Sequence, residues 1–145
     1  VFDLYAGTGT IGMVLASRAK EVYSVEIVPE ASEDNIRNLA KNNIKNVTVI
    51  NAPVEKLLEE WKKEGKTPDV IVIDPPRAGM HPDAPGILRD FNPKEIIYVS
   101  CNPATLARDI PLIAPNGEYR VTDITPVDMF PHTHHIEAVV RMERV

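Results

Sequence analysis

The chain has a single cysteine, Cys101, in the run Ser100-Cys101-Asn102-Pro103, where strand-like sequence gives way to helix-like sequence. A helix N-terminus lowers a thiol pKa, and thiolate is the form that attacks carbon. Lone cysteines are usually inert apolar fillers. Filler belongs in mid-strand, however, and Cys101 comes at a strand end. Glu137 closes the run His132-Thr133-His134-His135-Ile136-Glu137 and precedes Ala138-Val139-Val140. A carboxylate heading an apolar strand is partly desolvated, and a raised pKa suits it to proton abstraction. The histidines before it could bind a transition ion. In an extended segment His134 and His135 point opposite ways, so a polar turn is the better reading.

Three other groups of residues could hold ligands. Asp3–Gly12 reads DLYAGTGTIG, with Gly7, Gly9 and Gly12 spaced G-x-G-x-x-G after a strand and into a helix. Glycine lets the backbone turn sharply there and approach a ligand closely. The same spacing serves dinucleotides, and a tight strand–helix turn can need glycine with no ligand at all. Glu26 ends the second apolar run, 14 residues after Gly12, where a carboxylate can accept both ribose hydroxyls of an adenosine-containing cofactor. Asp74-Pro75-Pro76-Arg77 ends the run DVIVID. Two prolines make a rigid loop at the mouth of a strand, suited to holding a ring at fixed geometry. Arg77, Asn102 and Asp128 are further candidate contacts to substrate or to these groups.

The elements that position these residues alternate. Val1–Tyr5, Glu21–Glu26, Val47–Asn51, Asp69–Asp74 and Glu95–Ser100 read as strands. Thr10–Ala19, Pro29–Asn43, Val54–Lys63, Pro85–Phe91 and Pro103–Ile113 read as helices. Tyr119–Val127 and Ile136–Arg144 are two last strands, joined by a stretch too short for a crossover helix and therefore antiparallel. This order predicts one α/β domain over residues 1–145, with a doubly wound, mostly parallel, seven-stranded sheet and an antiparallel strand at the C-terminus. In such sheets ligands sit beyond the carboxyl ends of the strands. Those ends carry Tyr5-Ala6-Gly7, Glu26, Asn51, Asp74 and Cys101, which should share one edge.

Composition bounds the function. The 145 residues are enough for one domain with a sizeable core. One cysteine excludes a disulfide framework, and also a zinc or iron–sulfur site built from several cysteines of this chain. That count fits a reduced, cytoplasmic setting, and the longest apolar run falls well short of a membrane span. The net charge is −5, from 16 Lys and Arg against 21 Asp and Glu. A free-standing grip on nucleic acid needs a basic surface, so any such partner is expected to be held largely from outside this chain. Eleven of the 13 prolines fall between Pro68 and Pro131, which puts functional loops in the second half. The start at Val1, directly inside a strand-like run, suggests an excerpt of a longer protein.

In order, DLYAGTGTIG, VE, DPPRAG, VSCNPATLARD and DMFPHTHHIE resemble the motifs of the RNA uridine-5-methyltransferases, which use S-adenosylmethionine and act on transfer or ribosomal RNA. The resemblance runs through essentially the whole chain and covers that family's C-terminal catalytic domain. It implies a Rossmann-like class I methyltransferase fold. It implies Cys101 as nucleophile and Glu137 as general base. It also implies a cofactor site lined by Tyr5, Gly7, Thr10, Glu26 and Asp74. Many relatives carry an acid after the third strand; here Asn51-Ala52-Pro53 stands in that place, and Asn51 becomes the candidate contact. The family's upstream glutamine motif and its N-terminal RNA-binding domain lie outside this sequence. So does the iron–sulfur cluster of some members. The partner implied is RNA, the protein is expected to be a monomer, and no metal site is expected.

Two other readings compete. An amino-group methyltransferase acting on a nucleobase usually has an aromatic residue after Asp/Asn-Pro-Pro. Arg77 stands there, and the thiol would have no task. A nucleotide-binding oxidoreductase domain fits the glycine spacing but gives no role to DPPR or SCNP.

Overall fold

The structure, a computed structural model, describes residues 1–129 and 131–145. The described elements run β1 (Phe2–Leu4), α1 (Thr10–Ala16), β2 (Val22–Glu26), α2 (Pro29–Lys41), β3 (Val47–Asn51), α3 (Val54–Lys63), β4 (Val70–Ile73), α4 (Ala84–Asp90), β5 (Glu95–Ser100), α5 (Pro103–Ile113), β6 (Tyr119–Val127) and β7 (Glu137–Arg144). The seven strands form one sheet in the order β3-β2-β1-β4-β5-β7-β6. β1 to β5 are parallel, and β7 runs antiparallel to both β5 and β6. This is the doubly wound α/β sheet expected from the sequence, with its antiparallel C-terminal strand.

Burial explains the strand sequences. Leu4, Val25, Ile71, Ile73 and Ile96 are fully buried, because helices cover the parallel strands on both faces. The amphipathic α3 lays Leu57, Leu58 and Trp61 against the sheet. The Trp61 ring packs 4.3 Å from Phe2, whose other edge meets Phe91 at 5.5 Å. Pro29 and Pro103 start α2 and α5, where a missing N–H costs nothing.

The chain moves outward from β1 to β3, then returns to place β4 on the other side of β1. That reversal opens a crevice beyond the carboxyl ends of β1 and β4, where such folds bind ligands. The residues leading out of these strands are Tyr5–Gly9 and Asp74–Arg77.

Several boundaries differ from the sequence reading by one or two residues, and two of the differences have a visible cause or consequence. The first helix stops at Ala16, not Ala19. Asn46, distant in sequence, donates its side-chain amide to the Ala16 and Ala19 carbonyls at 2.8 and 2.9 Å, and so satisfies the end of the helix from outside. The stretch Pro131–His134 is turn and bend, and the last strand starts at Glu137. The extended-segment argument for His134 and His135 therefore does not hold. Their rings lie together, 4.1 Å between centroids.

Candidate active site

The glycine loop is shaped by left-handed backbone and held by an acid. Tyr5, Gly7 and Gly9 have φ of 61°, 53° and 86°. At Gly9 a Cβ would also collide with the Asn35 carboxamide. A Cβ at Gly7 would meet open space, so the crevice side of the loop is unobstructed. Glu26, buried at the end of β2, accepts the Gly7 amide on Oε2 and the Val28 amide on Oε1, both at 2.8 Å. Each carboxylate oxygen retains acceptor capacity beyond that one bond. Asn51 pairs with Glu26 in the sheet register. Its amide nitrogen donates to the Glu26 carbonyl at 2.9 Å and to Ser32 Oγ at 3.2 Å. Thr10 opens α1 and is exposed toward solvent.

Tyr5 leaves β1 in its left-handed conformation. Its hydroxyl is buried near the His81 main chain without a hydrogen bond of ordinary geometry. Burial, the largest influence, pushes its pKa up to about 12. A buried unpaired hydroxyl is uncommon, and this one lies on the strand that opens into the crevice.

Under the same loop is a residue the motifs do not single out. Asp3 is 1% exposed and accepts the Ser24 hydroxyl on Oδ2 at 2.9 Å, while Oδ1 has no partner. Burial pushes its pKa up to about 6, against the opposing Ser24 hydrogen bond. Gly12 completes this contact, because a Cβ there would lie 2.5 Å from Ser24 Oγ and 2.7 Å from Asp3 Oδ2. The available signal was a carboxylate inside the short apolar run VFDLY.

The second half of the edge holds the reactive groups. Asp74 leaves β4 by donating its amide to the Leu4 carbonyl at 3.2 Å, and Pro75-Pro76 ends the ladder. Asn102 caps α5, its Oδ1 accepting the Ala104 amide at 3.1 Å. Its Nδ2 donates to the Arg77 carbonyl, also at 3.1 Å. Thr105 Oγ1 donates to the same carbonyl at 3.4 Å. Cys101 is thus half-buried between strand and helix. It lines a cleft of about 210 Å³ with Arg77, Asn102, Pro103, His134, His135 and Ile136.

The β5–β7 register ends with Ser100 opposite Ala138, so Cys101 leaves β5 at the end of the sheet where Glu137 starts β7, next to Ile136 of the cleft lining. Asp74 belongs to the same field. Partial desolvation, and then the Glu137 charge, hold its carboxyl above the usual range. His135 is pushed below the ordinary imidazole value by desolvation first, then by the Arg77 and His134 charges, with Glu137 opposing. Among the described residues, no group of three or more His, Cys, Asp or Glu side chains could hold a metal ion. Asp128 follows β6 and is exposed.

The structure therefore gathers the candidates on one sheet edge. Tyr5, Gly7, Thr10, Glu26 and Asn51 stand over β1 to β3, Cys101 and Glu137 over β5 and β7, and Asp74 between them. The sequence matches the tRNA (Uracil-5-)-methyltransferase family across residues 1–145. The chain belongs to this family. It is 49% identical to an uncharacterized RNA methyltransferase of Bacillus cereus (strain ATCC 10987 / NRS 248), over 100% of this chain and 31% of that protein. It is likewise 49% identical to an uncharacterized RNA methyltransferase of Bacteroides thetaiotaomicron, over 99% of this chain and 31% of that protein. Among solved structures, it resembles the Pyrococcus abyssi tRNA (uracil-54, C5)-methyltransferase in complex with S-adenosyl-L-homocysteine. The TM-score is 0.81 with 35% identity, covering 97% of this chain and 33% of that one. The chain thus spans about a third of the relatives it matches, and the uracil-5-methyltransferase family likeness runs through every strand and helix of it.

Proposed function

We propose that residues 1–145 are the catalytic, S-adenosylmethionine-binding domain of a longer RNA methyltransferase that methylates C5 of a uridine in transfer or ribosomal RNA. What supports the reading is the register that brings Cys101, which lines the cleft, and Glu137, which starts β7, to the same end of the sheet. Amino-group methylation and hydride transfer give that thiol no task.

The residues present fit the cofactor. Glu26 is pinned by two amides with acceptor capacity to spare for ribose hydroxyls, and the space beside Gly7 is open to a ligand backbone or carboxylate. Tyr5, Thr10, Asn51 and Asp74 complete the lining. When bound, S-adenosylmethionine supplies a methyl group activated by its sulfonium.

The chain's own residues supply the rest. C5 of uracil is a weak nucleophile. The Cys101 thiolate adds to C6, forming an S–C6 bond and leaving C5 with enolate-like electron density. After C5 is methylated it still carries its hydrogen. Glu137 takes that proton, the electrons restore the C5–C6 double bond, and the thiolate leaves. The base must leave its stack to reach the cleft. The acidic chain leaves most of the grip on RNA to other parts of the protein. We expect the whole to work as a monomer in the cytoplasm. Among the described residues, no helix is long and apolar enough to cross a membrane.

The test uses RNA with 5-fluorouridine at the target, the full-length protein and S-adenosylmethionine. Fluorine cannot leave as a proton, so a denaturation-resistant protein–RNA adduct should accumulate and vanish in Cys101→Ala. Methyl found on nitrogen, with no adduct, would overturn the reading.

A further inference from the structure

Asp109, on α5, is 1% exposed and lies outside the Cys101 cleft lining. Both oxygens of its carboxylate are engaged. Oδ2 accepts the Met80 amide at 3.0 Å and the Tyr98 hydroxyl at 2.7 Å. Oδ1 accepts Arg108 Nε at 2.8 Å, and Nη2 of the same guanidinium lies 2.7 Å away in the ion pair. Arg108 Nη2 also donates to the Ala78 carbonyl at 3.0 Å. Gly79 makes room for this arrangement. Its φ is 84°, and a Cβ there would collide with Arg108 and lie 2.7 Å from Asp109 Oδ2. With the Asn102 and Thr105 bonds to the Arg77 carbonyl, one helix takes main-chain polar groups of Arg77, Ala78 and Met80.

These contacts join the two halves of the site. The loop from Asp74 to Met80 carries the acid of the β4 edge and the Arg77 side chain that lines the cleft. The N-terminal end of α5 carries Cys101. A loop after a strand needs only to reach the next helix, and exposed connections do so freely. A buried charge is poor evidence for stability, since apolar residues of similar volume often serve as well. What a buried carboxylate bonded through both oxygens supplies is a defined position for each of its partners.

We propose that Asp109 is a positioning residue for methyl transfer. Through Met80, Arg108 and Tyr98 it fixes the Asp74–Met80 loop against the helix that presents Cys101, and so sets where the target pyrimidine ring lies between thiol and cofactor. The proposal rests on the uracil-C5 reading above.

The experiment compares full-length wild type with Asp109→Asn and Arg108→Gln, each normalised to active sites by S-adenosylhomocysteine titration. Asp109→Asn keeps size and one acceptor oxygen. Arg108→Gln keeps the buried carboxylate and removes the hold on Ala78 from a half-exposed position, so it should fold even where the first variant does not. We expect S-adenosylhomocysteine affinity within about twofold of wild type. Because ångström-scale misplacement is costly, kcat per active site and the rate of adduct formation on 5-fluorouridine RNA should fall on the order of tenfold to a hundredfold in Asp109→Asn. They should fall less, but in the same direction, in Arg108→Gln. Hydrogen exchange at the Met80 amide should quicken in Asp109→Asn. A merely structural role would lower the fraction of active sites and leave kcat per site unchanged, and that result overturns the proposal. If wild type itself forms no adduct and methylates no uridine, the uracil-C5 reading fails and takes the proposal with it. Wild-type adduct with unchanged variants overturns the positioning role alone.

Discussion

Gly7 donates its amide to Glu26 Oε2 at 2.8 Å, across 19 residues of sequence. The bond ties the glycine loop after β1 to the end of β2, and the Val28 amide on Oε1 ties the same carboxylate to the entry of α2. Glu26 therefore builds the loop, and the function proposed above gives it a second task, holding the ribose of the cofactor.

Both tasks fail in Glu26→Gln. One face of the carboxamide is an NH2 group, which cannot accept an amide, so one of two partly buried N–H groups loses its partner. Leaving a buried donor unpaired costs about 1–3 kcal/mol. Thermal melting should show that loss, and calorimetry should show S-adenosylhomocysteine bound about tenfold or more weakly.

The proposed mechanism has Cys101 and Glu137 act at different steps, and their variants should separate them. Cys101→Ala should lower methyl transfer on the order of a thousandfold or more, with cofactor affinity retained. Glu137→Gln should still add its thiol to C6 and then stall. With ordinary uridine RNA and S-adenosylmethionine, gel analysis should reveal a covalent adduct in Glu137→Gln that wild type turns over. Carbon-detected NMR of the same variant should show the Asp74 carboxyl titrating at lower pH, because the raising Glu137 charge is gone.

Asp3 makes stability depend on pH. Its pKa is raised to about 6 in the fold against an ordinary 3.8, so the folded state holds a proton that the unfolded chain releases over that interval. Stability contributed by the protonated group is fully present below about 3.8 and is lost as pH rises through about 6. Asp3→Asn mimics the protonated form at every pH. Urea unfolding should find it more stable than wild type by about 1–3 kcal/mol at pH 8, with the gap closing toward pH 4.

Gly79→Ala should destabilise by about 1–3 kcal/mol, from a left-handed backbone and a collision with the Arg108–Asp109 pair. Gly65 also has positive φ, at 71°, but its Cβ would meet nothing within 4 Å. The same change there should cost less, and chemical denaturation of the two variants gives the comparison.

Much of this was legible because strands and helices here follow local rules. The apolar run DVIVID is a strand buried on both faces, and Pro29, Pro103 and Asn102 mark helix starts by their own chemistry. Long-range contacts escaped. Nothing near Ala16 announces that Asn46 closes its helix. Nothing near Asp109, in the run ATLARD, announces that the Met80 amide, the Tyr98 hydroxyl and the Arg108 guanidinium converge on it. The polar turn at His132–His134 was legible, but the close approach of the His134 and His135 rings was not, because opposite-facing side chains hold only in extended chain.

β7 is the last strand in chain order, yet it lies inside the sheet, and among the described residues β6 bonds to no other strand. Until the segment Glu137–Arg144 has left the ribosome, β5 presents an open edge and β6 has nothing to pair with. Unpaired edges invite aggregation. On the function proposed above, the same segment also brings the proton acceptor, Glu137, at its first position. Sheet closure and catalytic competence would then arrive in one step of synthesis, and a chain stopped before Glu137 would be left sticky and inert.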